Sequence, residues 1–566
     1  MFRATVFFVC FSTLLLAIGC HSRRAPVVVK TPPAATKPVA KKPPVTPPRS
    51  ASSVAATRPR PPVDTVAYEM PDMSVPASPK REFRAVWIAT VQNIDWPSKK
   101  GLPTSQQQQE MISILDMHRQ AGLNAVIMQV RAAADAFYAE GPEPWSEWLT
   151  GKQGKAPDPF YDPMEFIIDQ AHSRGMEFHA WLNLDRGTFG KTASLASDHI
   201  SYRKPEWFIT YGDRKLFNLG LPEVRTYVAG IVANIVRNYD VDGIHFDDYF
   251  YPYAIAGQTI KDDAAYRKYY NGMGKEDWRR SNVDKLVLEL RDSVKAVNPY
   301  CKFGISPFGI WKNVKSDPDG SATTGGQAYY ELYADTRKWV RQGWVDYIVP
   351  QVYFTTEFSR APYKVLVDWW AKNSIGRHLY IGHGAYRLGN TRERDPAWMD
   401  PAQMPSQIRY LRNSALAAAR GPVHGSIYFS SKSLTTNRMG VRDSLQTSLY
   451  KYPALVPPMT WIDSIPPLPV RDLKAARTDQ GVELYWQSPD EARDGDLASY
   501  YVVYRFEGRY RQYRTDNPER ILSICPGEDN TRFIDRTADP KKKYTYIVTA
   551  FDRLHNESRE IQVWIN

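Results

Sequence analysis

At 566 residues the chain is too long for one ordinary domain, and its 43% apolar and 13% aromatic content is enough for a sizeable core. The net charge of +12 points towards nucleic acid until it is located: residues 21–63 hold nine Lys/Arg and no acid, Arg3 adds a tenth, and about +2 is left for the rest. The basic character belongs to a tail, so nucleic-acid binding loses its support. The 16 Trp and 34 Tyr exceed what packing asks for and suit a carbohydrate binder. Cys10, Cys20, Cys301 and Cys525 make no disulfide framework, and the last two fall in different expected domains, so no bridge is expected between them.

In chain order, residues 1–20 carry Arg3, an apolar run and then Gly19-Cys20, the pattern of a signal peptide too short to remain as a membrane span. Leu16-Ala17-Ile18-Gly19-Cys20 resembles the lipobox of bacterial lipoproteins, which implies lipidation at Cys20 and a membrane-anchored N-terminus; Ala17 departs from the commoner leucine. Residues 21–80 hold 14 of the 43 prolines and cannot bury a core, so they are expected as an extended tether.

Apolar, strand-like runs follow at 83–90, 124–131, 177–183, 243–249, 302–309, 347–354, 379–386 and 425–431. Helical periodicity lies between most of them, at 106–121, 163–174, 223–239, 283–297, 329–342, 363–373 and 405–420. Eight buried strands alternating with helices predict a (β/α)8 TIM barrel over residues 81–460, with a doubly wound open sheet as the structural rival. Residues 461–469 form a proline-studded linker. Short strands around Trp486, Tyr500-Tyr501-Val502-Val503-Tyr504 and Tyr544-Thr545-Tyr546 then predict a small all-β sandwich of fibronectin type III type over 470–566, with Tyr544 as a tyrosine-corner candidate.

Polar residues recur where these strands end, and in such a barrel that face carries the chemistry. Alternation gives inward pairs at i, i+2: Gln129 with Arg131, Trp181 with Asn183, His245 with Asp247, and Gln351 with Tyr353. Asp247 is the strongest single candidate, since a buried carboxylate at a strand end is costly unless it is used. Asp248 follows it, and two tyrosines, Tyr249 and Tyr251, come next as surfaces for a sugar ring. Glycoside hydrolysis needs two carboxyls, one protonated and one not. Asp135, Glu140, Asp185 and Glu357 lie on loops over the same face, and Asp135 ranks first because it follows Gln129-Val130-Arg131 directly. No His pair has zinc-ligand spacing, and no phosphate loop or nucleophile elbow is present, so no metal or cofactor is expected.

Several motifs in order then resemble one family. Arg84-Ala85-Val86-Trp87-Ile88-Ala89-Thr90, Asn93-Ile94-Asp95-Trp96-Pro97-Ser98, Gln129-Val130-Arg131, His179-Ala180-Trp181-Leu182-Asn183, the segment from Asp242 to Pro252, and Pro350-Gln351-Val352-Tyr353 are similar to the glycosyl-hydrolase-like-10 family of bacterial envelope lipoproteins. The resemblance spans about residues 81–450. It implies a TIM-barrel glycosidase acting on peptidoglycan glycan strands, especially strands stripped of stem peptides. The family's usual Pro-Tyr-Arg after the third-strand asparagine is replaced here by Leu184-Asp185-Arg186. The segment from Asp242 also resembles the chitinase Asp-x-x-Asp-x-Asp-x-Glu signature, with Tyr249 in the place of its glutamate, so substrate-assisted cleavage does not carry over.

The expectation is therefore an envelope-anchored glycoside hydrolase, on the periplasmic or outer-membrane side, acting on peptidoglycan or a related amino-sugar polymer. Asp247 is expected as catalytic carboxylate, with Asp248 or Asp135 as its partner. Trp87, Trp181, Tyr249, Tyr251 and Tyr353 are expected to stack on sugars. Gln129, Arg131, Asn183, His245, Gln351 and His383 are expected to hydrogen-bond hydroxyl, acetamido or muramyl carboxylate groups. Asn93, Asp95 and Arg186 complete the binding set. The rival reading is a glycan-binding scaffold without turnover, with a C-terminal sandwich that recruits protein partners.

Overall fold

The computed structural model describes residues 78–190, 195–509 and 515–566. The expected signal peptide, lipidated Cys20 and nearly all of the tether lie outside the described residues. Eight parallel strands close a barrel: β1 (Phe83–Ile88), β2 (Ala125–Arg131), β3 (Glu177–Leu182), β4 (Gly243–Phe246), β5 (Lys302–Ile305), β6 (Tyr347–Ile348), β7 (His378–His383) and β8 (Gly425–Tyr428), each beside the next and β8 beside β1. Every residue of these strands is buried, as parallel strands covered on both faces require. The closed order excludes the open sheet.

Alternation divides the core in two. Phe83, Ala85, Trp87, Ile127, Trp181, Tyr347, Tyr380 and Ile427 fill the barrel interior. Val86, Ile88, Val126, Met128, Phe178, Ile244, Phe246 and Ile305 pack outward against the helices. Two inward positions must be glycine for the rings to fit. A Cβ on Gly304 would sit 2.0 Å from the Tyr347 ring, and one on Gly243 would sit 2.5 Å from His179 Nδ1.

The helices Thr104–Gln120, Pro163–His172, Pro222–Asn238 and Tyr363–Asn373 lie where periodicity puts them. Lys275–Val297 starts a full two turns earlier than the periodicity indicates. Two expected helices are broken. Residues 329–342 divide into Ala328–Glu331 and Thr336–Arg341, because Tyr333 is left-handed at φ 54° and the Asp335 side chain caps a new start. Residues 405–420 divide into Gln403–Leu411 and Ser414–Arg420, where the Asn413 side chain accepts from Leu416 N–H. The long loop after β3 folds into a hairpin, Phe208–Tyr211 against Arg214–Phe217, that periodicity did not reveal.

The C-terminal residues form two antiparallel sheets from β9 (Arg471–Thr478), β10 (Gly481–Gln487), β11 (Tyr500–Glu507), β12 (Ile521–Pro526), β13 (Arg532–Asp535), β14 (Tyr544–Phe551) and β15 (Ile561–Ile565). Their orders are β9-β10-β13 and β12-β11-β14-β15, with Trp486, Tyr501, Tyr546 and Val548 buried between them. The Tyr544 hydroxyl accepts from Asp539 N–H at 3.0 Å. This all-β unit sits against the N-terminal end of the barrel, where Arg553 pairs with Asp240 at 2.7 Å and Arg81 with Glu557 at 3.1 Å. Cys301 and Cys525 are both free and buried.

Candidate active site

His245 and Asp247 share the inward face of β4, while Ile244 and Phe246 join the outer core. Asp247 follows the last strand residue, which puts it at the C-terminal mouth. Its carboxylate accepts from Trp181 Nε1 at 3.0 Å, from Asn183 Nδ2 at 3.0 and 3.2 Å, and from Tyr249 N–H at 3.3 Å. Both side-chain donors come from the end of β3, two residues apart. Asn183 is itself fixed, because its Oδ1 accepts from Arg186 N–H at 3.0 Å. Burial pushes the Asp247 pKa up, against the pull of Arg186, Asn183 and Trp181.

Two further carboxyls crowd it. Asp248 accepts from Gln351 Nε2 at 3.1 Å and from the Tyr253 hydroxyl. Burial, and then the charge of Asp247, push it up to about 6. Asp185 lies two residues beyond Asn183, and its buried side chain receives no hydrogen bond among the described residues; its Oδ1 is fully enclosed. Burial raises it to about 7, opposed by Arg186 and reinforced by Asp247 and Asp248. Three carboxyls in mutual electrostatic reach do not all ionise, so near neutrality the group holds a proton on one member and a charge on another. Among the described residues Asp247 is supplied with donors and Asp185 with none, which sorts them into charged and protonated partners.

The other expected residues divide sharply. Trp181, Asn183, Arg186, Tyr249, Gln351 and Tyr353 surround this mouth or its loops. Asp135 does not join Asp247: its Oδ1 accepts from Ala132 N–H at 3.0 Å and Ala133 N–H at 2.8 Å, bracing its own turn, and its charge acts on His199. Glu140 presents its backbone to Tyr239, and Glu357 is exposed and paired with Lys364 at 3.2 Å.

Arg131 is wholly buried in a two-pronged ion pair with Glu143, at 2.6 and 2.8 Å, and cannot reach a ligand. Gln129 Oε1 holds the loop after β1 through Thr90 N–H at 3.2 Å and Val91 N–H at 2.9 Å. Asn93 bonds the carbonyls of Pro97 and Trp148, and Asp95 ties Ala89 N–H to Ser430 Oγ, both at 2.7 Å. Tyr251 is buried edge-on against Tyr333. His383 points out of the barrel: Gly382 faces inward against Trp87, so its neighbour faces the helices, where Gln407 and Ser426 hold both ring nitrogens at 2.9 and 3.0 Å. The strand lies where the apolar run put it, but His383 sits on its outer face and is not available to a sugar at the mouth.

His245 and Trp87 belong to a chain of hydrogen bonds along the barrel axis. The indole N–H of Trp87 can only donate, so His245 Nε2, 3.2 Å away, accepts, and Nδ1 carries the proton. That proton points to the Tyr347 hydroxyl at 3.2 Å, which in turn donates to His179 Nδ1 at 2.7 Å. His179 Nε2–H then meets Glu177 Oε2 at 2.9 Å. The other Glu177 oxygen bonds Lys302 and, from the all-β unit, His555. His245 is completely buried, and burial keeps its pKa well below the ordinary range, so it is a neutral part of the floor. Trp87, 2% exposed, is held by it and offers no open face for stacking. Alternation gave the inward direction of His245, but not the depth at which it and Trp87 lie.

Among the described residues, the one cluster of three carboxylates with oxygens close enough to share a metal ion is Asp463, Asp494 and Asp496, at the junction with the all-β unit and remote from the mouth.

The family model described as "Glycosyl hydrolase-like 10" matches residues 82–400. Glycosyl hydrolase YngK of Bacillus subtilis (strain 168) is 44% identical over 508 residues, which cover 88% of this chain and 96% of that protein. Glycosyl hydrolase DigH of Escherichia coli (strain K12) is 40% identical over 364 residues, 60% of this chain and 82% of that protein. Among solved structures, the glycoside hydrolase domain of PgaB (BpsB) from Bordetella bronchiseptica aligns with 64% of this chain and 98% of that chain, at 13% identity and a TM-score of 0.43.

Proposed function

The chain belongs to the glycosyl hydrolase-like 10 family and is a glycoside hydrolase, and on that premise we propose that it cleaves peptidoglycan glycan strands, with Asp247 as the charged carboxylate and Asp185 as the proton donor. The observation that carries the assignment is the opposite treatment of two neighbouring buried carboxyls. Asp247 accepts from three groups, and Asp185 accepts from none among the described residues and is raised to about 7. A protonated acid beside a charged carboxylate is what protonating a leaving oxygen and stabilising an oxocarbenium-like centre requires. Half-buried Tyr249 and Tyr353 line the approach as faces for sugar rings.

A second assignment has its own support. Family members usually carry tyrosine where Asp185 stands, whereas Asp248 adjoins Asp247 and is raised to about 6. In that reading Asp248 donates the proton and Asp185 adjusts its pKa. A lipid anchor on Cys20, at the end of the proline-rich tether, would hold the enzyme in the cell envelope; replacing Cys20 with Ser should release the protein from membranes.

The test uses residues 78–566 on glycan strands with and without stem peptides, products read by mass spectrometry. Cleavage of stripped strands that falls at least about 1,000-fold in both Asp247→Asn and Asp185→Asn, but less than about 10-fold in Asp135→Asn, supports the first assignment. A severe loss in Asp248→Asn with Asp185→Asn still active selects the second. Wild-type protein that leaves peptidoglycan strands intact while hydrolysing another polysaccharide overturns the substrate.

A further inference from the structure

Six arginines are buried among the described residues: Arg84, Arg131, Arg186, Arg225, Arg279 and Arg420. Five have a carboxylate partner, at 2.7 Å (Glu82), 2.6 Å (Glu143), 3.2 Å (Glu289), 2.7 Å (Asp262) and 3.1 Å (Asp368). That is the ordinary condition for a guanidinium removed from water, since an unpaired buried charge is expensive. Arg186 is the exception. It forms no ion pair and no side-chain hydrogen bond among the described residues, and its buried Nε has no acceptor. It is not without neighbours: its guanidinium carbon lies 4.2 Å from the centre of the Tyr249 ring and 5.6 Å from that of Phe189, within cation–π reach of both. Arg214 lies over the same Phe189 ring at 4.9 Å and adds positive charge.

We propose that Arg186 is an anion subsite at the edge of the cleavage centre, which binds the carboxylate of an acidic sugar through the guanidinium fork. This rests on the mouth around Asp247 being the place of cleavage. The guanidinium lies over the Tyr249 ring, no described residue accepts its hydrogen bonds, and it sits beside carboxyls that act on it electrostatically but lie beyond ion-pair distance. A carboxylate on the sugar completes the pair that every other buried arginine already has, and a neutral polymer leaves the charge unpaired. The enzyme thereby selects carboxylate-bearing glycans, whether the acid is a lactyl ether or a uronic acid, over uncharged amino-sugar chains. Lysine in this position keeps the charge but loses both the stacking plane and the fork.

The experiment measures kcat/KM of residues 78–566 on stem-peptide-free glycan strands whose lactyl carboxyl is either intact or reduced to the alcohol. Wild-type protein should lose about 30-fold or more on the reduced strands, the floor for removing one partner of a buried charge pair. Arg186→Gln should show a similar loss on intact strands and little further loss on reduced ones, with Arg186→Lys between them and all three melting alike. Equal wild-type rates on both strands overturn the proposal without any variant. So does an Arg186→Gln loss that is the same on both, which makes the arginine only a counter-charge to Asp247. If peptidoglycan strands resist the enzyme altogether, the substrate reading fails, and uronate-containing amino-sugar polymers against neutral chitin oligomers decide the subsite: preference for the uronate upholds it, and preference for the neutral chain sinks it.

Discussion

Asp185 is a buried carboxyl to which no described residue donates a hydrogen bond, and this has consequences for stability as well as for catalysis. Its pKa rises from 3.8 to about 7, so the folded protein holds a proton between these values that the unfolded chain gives up. Stability is therefore full below about pH 4, falls as the pH rises towards 7, and stays lower beyond it, by at most about 4 kcal/mol. Asp185→Asn removes the ionisable group at nearly constant shape. It should raise the melting temperature above pH 7 and leave it unchanged below pH 4, while activity is lost. A thermal melt series across that range checks this, and an equal shift at both ends contradicts it. The same proton predicts that kcat/KM declines on the alkaline side with an apparent pKa near 7, a value that belongs to the three coupled carboxyls together. The inward position of Asp247 at the end of β4 was legible in the sequence because strand parity is local. The choice among loop acids was not, because Asp135 and Asp185 follow their strands at similar spacing and only the folded loops show which of them is tied into its own turn.

At the level of elements, the barrel depends on small residues where large inward rings pass. Gly304→Ala would drive a methyl group into the Tyr347 ring, which carries the axial hydrogen bonds from His245 to His179. The cost should exceed about 3 kcal/mol in urea unfolding, because the neighbour is a rigid ring in a packed interior. Gly230 is exposed in the helix Pro222–Asn238, and a methyl group added there would meet nothing within 4 Å. Gly230→Ala should therefore gain about 1 kcal/mol from helix propensity alone, read in the same unfolding assay. Apolar runs disclosed all eight barrel strands, since a buried parallel strand is apolar along its whole length. Helix breaks at Tyr333 and Asn413 stayed hidden because backbone conformation and capping, rather than apolar period, set them. His383 was expected among the sugar-binding residues, and strand parity instead turns it outward against Gln407 and Ser426.

Across the whole molecule, the C-terminal unit closes the base of the barrel. Glu177, Lys302 and His555 meet there although they are separated by up to 378 residues in sequence, and the hydrogen-bond chain runs from this triad to Trp87 beneath the mouth. A separation of that size leaves no local pattern to read, which is why the only role expected of this unit was the recruitment of protein partners. Burial opposes ionisation of Glu177, but the charge of Lys302, with hydrogen bonds from His179 and His555, overcomes it and holds the carboxyl well below its ordinary range. Its contribution to stability is present above about pH 4.5 and is lost as the pH falls towards its folded pKa. Lys302→Met leaves a buried carboxylate short of its main partner and should cost about 3–5 kcal/mol at pH 7, with a smaller cost at pH 3. Chemical denaturation at the two pH values reads this difference directly.

The division of labour between Asp247 and Asp185 is tested most directly by comparing two substrates that differ only in how much they need an acid. Each variant would be assayed on a glycan strand and on an aryl amino-sugar glycoside whose phenol leaves without protonation. Asp185→Asn should be nearly inactive on the strand and keep most of its activity on the aryl glycoside, while Asp247→Asn should lose both. Equal loss on both substrates in Asp185→Asn, or full activity of Asp247→Asn on either, would contradict the assignment.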